Sequence, residues 1–175
     1  MATWGWGSGV DGEQQFGAVA VPIVTIYRRH EVEFICRQSS VHLLVVAYDA
    51  DGNAPDFARE VAVDGMDVVA VTVGSAEPFG MISATGKPEP GLNVIVYTSG
   101  TESNPKGVRH NAESLLYDSV SMTEFLGLGA ADGFFMPSPL AHITGLLNDI
   151  ITPVLLGATT VLMQRWNAQR ALCPR

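Results

Sequence analysis

Short runs of mostly apolar residues recur along the chain, and they constrain its fold more than any other feature. Each run has the length and composition of a strand that is buried on both faces. The runs cover residues 18–24, 41–46, 68–73 and 93–97. Between the first two, residues 28–39 carry Val32, Ile35 and Cys36 at the spacing of one helix face. Strands that alternate with helices predict an α/β fold, layered, with a largely parallel sheet and flanking helices.

The rest of the chain is predicted to continue this alternation around one long loop. We expect a short helix near residues 57–61, a loop over 74–92, a helix over 111–128, a strand over 134–136, a helix over 140–156 with a break near Pro153, and a strand over 159–163. Residues 1–15 lack periodicity and residues 173–175 read as a tail, which leaves one partial domain over residues 16–172.

The balance of apolar and charged residues is unusual for a free-standing domain. Apolar residues make up 47% of the chain and charged residues only 16%, against roughly 25% charged in an ordinary soluble domain. This composition predicts a piece of a larger protein, whose apolar faces other segments cover. It also allows self-association through those faces.

Charge and cysteine content exclude several classes of protein. The net charge is −8 and the ten basic residues are scattered, which argues against a nucleic-acid partner. Cys36 and Cys173 lack neighbours at metal-ligand spacing, so neither a zinc site nor a disulfide framework is predicted. No export signal or membrane span is visible, and we expect a cytoplasmic protein.

A loop rich in hydroxyl groups follows the strand at residues 93–97 and precedes the helix at 111–128. Its hydroxyls, its glycines and its one lysine suit a polyphosphate, because they combine neutral donors, close backbone approach and a positive charge. The candidate ligands are Thr98, Ser99, Gly100, Thr101, Ser103, Lys106 and Gly107. A Ser/Thr-rich turn without a ligand is the alternative that composition alone leaves open.

The order of these residues separates the two interpretations. The order argues against a Walker-type loop, since Pro105 stands where that motif has its second glycine and Gly107 follows the lysine. The order resembles the signature loop Y-T-S-G-T-T-G-x-P-K-G-V of the adenylate-forming superfamily, which includes acyl-CoA synthetases, aryl-CoA ligases and peptide-synthetase adenylation domains. Nine positions match, while Glu102 and Ser103 replace the third Thr and the second Gly of the motif. A carboxylate about 4 Å from a phosphate charge costs roughly 4 kcal/mol at an effective dielectric near 20, so we expect weakened or reshaped binding.

A second segment supports the same resemblance. Residues 137–146 read P-S-P-L-A-H-I-T-G-L and resemble the family's P-L-x-H-x-x-G segment, which lines the acyl and adenylate pocket. The resemblance gives His142 the task of orienting the carboxylate or the adenylate, without transferring a proton. The alternative is a satisfied core histidine.

The resemblance implies a reaction and a set of cofactors. ATP and a small-molecule carboxylate would give an acyl adenylate, coenzyme A would accept the acyl group, and Mg²⁺ would bridge the phosphates. The family's metal-binding Glu, ribose-binding Asp, hinge and C-terminal lysine have no counterpart in this chain, which suggests a partial ligase without complete activity. A non-catalytic nucleotide-binding or interaction module, or a gene remnant, is the alternative.

Three weaker patterns are interpreted as chance or structure. Residues 7–12 match G-x-G-x-x-G without a preceding strand, and His30 and His42 lack partners for a metal.

Overall fold

The computed structural model describes residues 19–48, 61, 63–72, 91–98, 104–163 and 166–172. Within these residues the chain forms a mixed α/β structure, which confirms the predicted fold class. The strands form three two-stranded sheets, two of them parallel and one antiparallel. No helix in this part of the chain has the length and apolarity needed to cross a membrane.

The first unit joins helix α1 (Arg29–Gln38) to strands β1 (Leu43–Tyr48) and β2 (Asp67–Thr72). The two strands run parallel over six residue pairs, from Leu43↔Asp67 to Tyr48↔Thr72. The predicted apolar face of α1 is buried against this pair in a core of Tyr27, Val32, Ile35, Cys36, Leu44, Val46, Val61 and Tyr97. Burial, and then the Glu33 carboxylate, raise the pKa of the Cys36 thiol, as suits a core residue.

The run at residues 18–24 is not a full strand where the structure describes it. Ala20 makes a single parallel bridge to Val94. Its amide donates to the Asn93 carbonyl at 2.9 Å, and its carbonyl accepts from the Ile95 amide at 2.9 Å. Pro22 lacks a backbone N–H, which removes a ladder bond directly after this bridge.

The middle unit is a hairpin followed by a helix. Strand β3 (Val94–Thr98) pairs antiparallel with β4 (Lys106–His110), and helix α2 (Ala112–Leu126) follows at once. The sequence predicted a strand, a loop and a helix, and it missed β4. That strand carries Lys106, Gly107 and Arg109 and is largely exposed, so it lacks the apolar run by which a strand is recognised.

The last unit contains one long helical stretch between two short strands. It consists of β5 (Gly133–Phe134), α3 (Ile143–Gly145), a π-helical segment (Leu146–Ile151), α4 (Thr152–Leu156), β6 (Thr159–Thr160) and α5 (Ala168–Ala171). Strands β5 and β6 are parallel and shorter than predicted. The expected break near Pro153 is wrong, because Pro153 lies inside α4, which follows the π-helical segment directly. The helical stretch ends only at Leu156, before Gly157 with φ 67°.

The remaining predictions lie wholly or mainly outside the described residues. They concern the irregular start at 1–15, the G-x-G-x-x-G match at 7–12, the helix near 57–61, the loop at 74–92 and the tail at 173–175.

Candidate functional site

The β3–β4 hairpin holds both ends of the predicted phosphate loop. Thr98 and Lys106 are paired across the two strands at the end where the loop leaves β3 and enters β4. The Thr98 hydroxyl donates to the Lys106 carbonyl oxygen at 3.4 Å. The structure therefore brings the first and the last polar ligands of the predicted set together. Ser99, Gly100, Thr101, Glu102 and Ser103 lie outside the described residues.

Lys106 has the accessibility that a phosphate ligand needs. Its side chain is exposed, and no ion pair engages it within the described part of the chain. An ammonium group that is already paired would have to break that contact before binding an anion. Lys106 is thus available as a point charge at the mouth of the loop.

Gly107 is required by the ring of Tyr97, its partner across the hairpin. A Cβ atom on Gly107 would lie 3.1 Å from Tyr97 Cζ and 3.1 Å from Ile95 Cγ2, which is tighter than ordinary van der Waals contact. The sequence analysis assigned Gly107 to phosphate binding. The structure shows an additional reason for it, since the backbone of β4 lies close against an aromatic face.

Tyr97 fastens the hairpin to the first unit of the fold, and sequence reasoning missed this role. The Tyr97 hydroxyl donates to Gln38 Oε1 at 2.8 Å and lies 2.7 Å from Ser39 Oγ, both at the end of α1. Its side chain is only 4% exposed. The available signal was the tyrosine that opens the loop motif, since a buried tyrosine usually finds a partner for its hydroxyl.

Two asparagines position α2 directly behind the hairpin. Asn111 Oδ1 accepts from the Ser114 amide at 2.8 Å, and Asn93 Oδ1 accepts from the Ala112 amide at 2.8 Å. Both satisfy backbone donors in the first turn that have no partner within the helix. The start of β3, the end of β4 and the start of α2 are therefore held together by side chains.

His142 stands at the start of α3 and is exposed. The alternative of a buried core histidine is therefore wrong. The Thr144 amide donates to His142 Nδ1 at 3.3 Å, and the Thr144 hydroxyl lies 3.1 Å from the same nitrogen. The ring thus caps the helix with one nitrogen, while its Nε2 has no hydrogen-bond partner among the described residues.

Close packing against the preceding turn explains why the P-L-x-H-x-x-G segment has a glycine at position 145. The His142 amide donates to the Pro139 carbonyl at 2.9 Å and closes a turn. That turn packs on the first residues of the helix so closely that a Cβ on Gly145 would overlap the Pro139 carbonyl oxygen and lie 2.8 Å from its carbon. This glycine lets the turn carrying His142 lie against the helix.

The hairpin and His142 are not joined to each other by a hydrogen bond. Neither Thr98 nor Lys106 shares one with His142 within the residues that the structure describes. The structure thus shows two separate local arrangements, and the assignment of both to one ligand stays a prediction.

A shallow groove beside α2 has different chemistry. It is lined by Leu116, Ile150, Ile151, Val154 and Leu155. All five side chains are aliphatic, so the groove offers no side-chain donor to an anion. The hairpin, in contrast, presents the hydroxyl of Thr98 and the ammonium group of Lys106.

Comparison with known proteins adds to this geometry. The sequence matches the family described as AMP-binding enzyme over residues 9–174. Two relatives are each 29% identical over 166 residues: a sulfoacetate–CoA ligase of Cupriavidus necator, with 90% of this chain and 32% of that protein covered, and the long-chain-fatty-acid–CoA ligase FadD13 of Mycobacterium tuberculosis, with 91% and 32% covered. The chain thus spans about a third of the length of these relatives.

The fold agrees with a solved structure of the same kind. The o-succinylbenzoate coenzyme A synthetase of Bacillus subtilis, in complex with ATP and magnesium ion, superposes with a TM-score of 0.62 and 26% identity. The superposition covers 88% of this chain and 31% of the synthetase. The relatives and the solved structure named here are CoA ligases or synthetases. With a family match over nearly its whole length and a shared fold, the chain belongs to the AMP-binding enzyme family.

Proposed function

We propose that this chain supplies the phosphate-binding part of an ATP-dependent acyl-CoA ligase. The observation that carries the proposal is the hairpin that brings Thr98 and Lys106 together at the two ends of the loop. In the proposed reaction a carboxylate oxygen attacks the α-phosphorus of ATP and pyrophosphate leaves. The thiol of coenzyme A then attacks the acyl carbon and AMP leaves. The residues of this chain contribute binding to the first step.

The described residues fit a nucleotide phosphate. Lys106 is an exposed cation, Thr98 supplies a hydroxyl beside it, and β4 holds the end of the loop in place. We assign Ser99, Gly100, Thr101, Ser103 and Gly107 to the same cradle on the motif. Mg²⁺ bound to ATP would neutralise the remaining phosphate charge. The acid would be a small-molecule carboxylate, and a cytoplasmic location stays a prediction.

Binding of Mg·ATP to the purified chain tests the proposal. A ligand at about 100 times its dissociation constant adds roughly 2.7 kcal/mol to the free energy of unfolding, which for a chain of this length raises the Tm by roughly 5–11 °C. We expect the rise in the wild type and its loss in Lys106→Ala. Lys87→Ala, which changes the only other lysine, is the matched control and should keep the rise.

Two results would count against the proposal. One is a folded wild-type chain whose Tm does not respond to Mg·ATP at any accessible concentration. The other is a rise that survives Lys106→Ala and disappears in Lys87→Ala, which would place the nucleotide away from the hairpin.

A second candidate function is a protein-interaction module, and one observation favours it. Helix α2 exposes large apolar side chains on its outer surface, including Tyr117 at 77% and Phe125 at 88% exposure. Exposed apolar side chains of this size suit contact with another protein or a second copy of this chain. The two candidates are separable, because only the first predicts a response to Mg·ATP.

A further inference from the structure

The ring of His142 is held from one side by a single residue, Thr144. The backbone amide of Thr144 lies 3.3 Å and its hydroxyl 3.1 Å from His142 Nδ1. Histidine is not among the residues usually found at the start of a helix, where Ser, Thr, Asp and Asn supply the accepting oxygen. His142 caps the helix with one ring nitrogen and, unlike those residues, leaves a second nitrogen, Nε2, away from the helix.

The contact with the amide settles which ring nitrogen carries the proton. A backbone N–H can only donate, so Nδ1 must present its lone pair. In a neutral imidazole one nitrogen accepts and the other donates, and the proton is therefore on Nε2. The tautomer follows from the hydrogen-bond network. The hydroxyl of Thr144, which can rotate, then donates to the same lone pair.

We propose that Thr144 is a positioning residue for His142. It holds the imidazole as the Nε2–H tautomer and fixes the ring, so that Nε2–H is presented as a neutral donor to an anionic oxygen of a carboxylate or an adenylate phosphate. The identity of that acceptor rests on the proposed function, whereas the tautomer and its dependence on Thr144 do not.

The same geometry limits what His142 can do chemically. With Nδ1 occupied by the Thr144 amide and Nε2 already protonated, the neutral ring has no free lone pair for a substrate proton. Protonation of Nδ1 would place two N–H groups face to face and break the cap. His142 therefore orients an acceptor and does not serve as a general base.

Nitrogen-15 NMR of the imidazole side chains in the 175-residue chain tests the proposal without any ligand. We expect the His142 Nδ1 resonance at the position of an unprotonated nitrogen and the Nε2 resonance at that of a protonated one. Thr144→Val removes the hydroxyl and keeps the shape, so the tautomer preference should weaken. Thr144→Ser keeps the hydroxyl and should restore the wild-type spectrum.

The outcomes distinguish this proposal from the proposed function. A proton on Nδ1 in the wild type overturns the tautomer that the Thr144 amide is proposed to hold. A Thr144→Val spectrum equal to that of the wild type overturns the contribution of the Thr144 hydroxyl. Since far-UV circular dichroism reports folding separately, an unfolded variant is not mistaken for a change of tautomer. The other three histidines in the same spectra should not respond to either substitution.

Titration with AMP is the second arm. We expect the His142 Nε2 resonance to move on AMP binding, and the dissociation constant to rise by about three- to tenfold in Thr144→Val but not in Thr144→Ser. Absence of AMP binding in all three chains, with the expected tautomers, would count against nucleotide binding and leave the positioning by Thr144 intact.

Discussion

At the scale of single residues, the hairpin depends on the contact between a small residue and a large one. Gly107 lies against the Tyr97 ring, and the Tyr97 hydroxyl is fixed by Gln38 and Ser39 at the end of α1. The ring can hardly move without losing these hydrogen bonds. A glycine inside a strand is normally unfavourable, and here the close approach of the two strands explains it.

Gly107→Ala is expected to destabilise the chain by about 1–3 kcal/mol, the usual range for overpacking a site that cannot relax. The new methyl group would lie 3.1 Å from both Tyr97 Cζ and Ile95 Cγ2. Urea denaturation measures the change. Gly133→Ala is the matched control, because a Cβ there meets nothing within 4 Å. Equal unfolding midpoints for the two variants would contradict this account of Gly107.

At the scale of the element, the π-helical segment before Pro153 is stabilised from outside the helix. Pro153 has no N–H to donate to the carbonyl four residues earlier, which belongs to Asp149. That carbonyl accepts instead from the Thr160 hydroxyl at 3.1 Å, while Asp149 Oδ1 accepts from the Met136 amide at 3.0 Å. Asp149, which is buried, thus joins the helix to the segments containing both short strands. The bond from Thr160 replaces the hydrogen bond that Pro153 cannot donate.

The buried carboxyl of Asp149 is expected to make stability depend on pH. Burial raises its pKa above the ordinary 3.8, and the hydrogen bond from Met136 only partly opposes this. The folded chain then binds the proton more tightly than the unfolded chain. The free energy of unfolding should therefore fall as the pH rises from about 3.8 through the higher folded-state pKa.

Asp149→Asn should remove this part of the pH dependence, because its amide oxygen still accepts from Met136 but carries no charge. Urea midpoints at several pH values between 4 and 7 measure it, with the exposed Asp118→Asn as the matched control. The explanation is wrong if Asp149→Asn and Asp118→Asn change the pH profile equally, or if Asp149→Asn destabilises the chain most at the upper end of that range.

At the scale of the whole molecule, the second half of the chain leaves many large apolar side chains exposed. Large apolar side chains are exposed on α2, on α4 and in the segment after β6, including Phe125, Leu126, Val154 and Leu162. The low charge content predicted such faces from composition alone. The structure places several of them on one helix, beside the aliphatic groove.

We expect the wild-type chain to self-associate through α2, and Phe125→Glu to raise the dissociation constant of that association at least tenfold. Covering one such side chain contributes about 1.5–3 kcal/mol, and tenfold corresponds to about 1.4 kcal/mol. Sedimentation velocity over a concentration series measures it. Ile26→Glu, at a similarly exposed position of 76%, is the control. A monomeric wild type, or an equal effect of both substitutions, would contradict the prediction.

The sequence by itself determined the α/β class, the family and the candidate ligands of the phosphate loop. Each of these rests on residues close together in the chain: apolar runs of strand length, the apolar stripe of α1, and the ordered loop motif. It also predicted α1 and α2 to within a few residues, since amphipathic spacing and the residues that cap α2 are local features.

Only the tertiary structure decided how those parts are held. The polar strand β4 is recognised by its pairing with β3, the π-helical segment survives because Thr160 satisfies Asp149, and Tyr97 reaches Gln38 across 59 positions of sequence. His142 and Thr144 are only two residues apart, but their contact also depends on the turn at Pro139, which packs against the helix because residue 145 is a glycine. Periodicity and motifs report local preference, whereas these contacts depend on which distant groups the fold brings within hydrogen-bond distance.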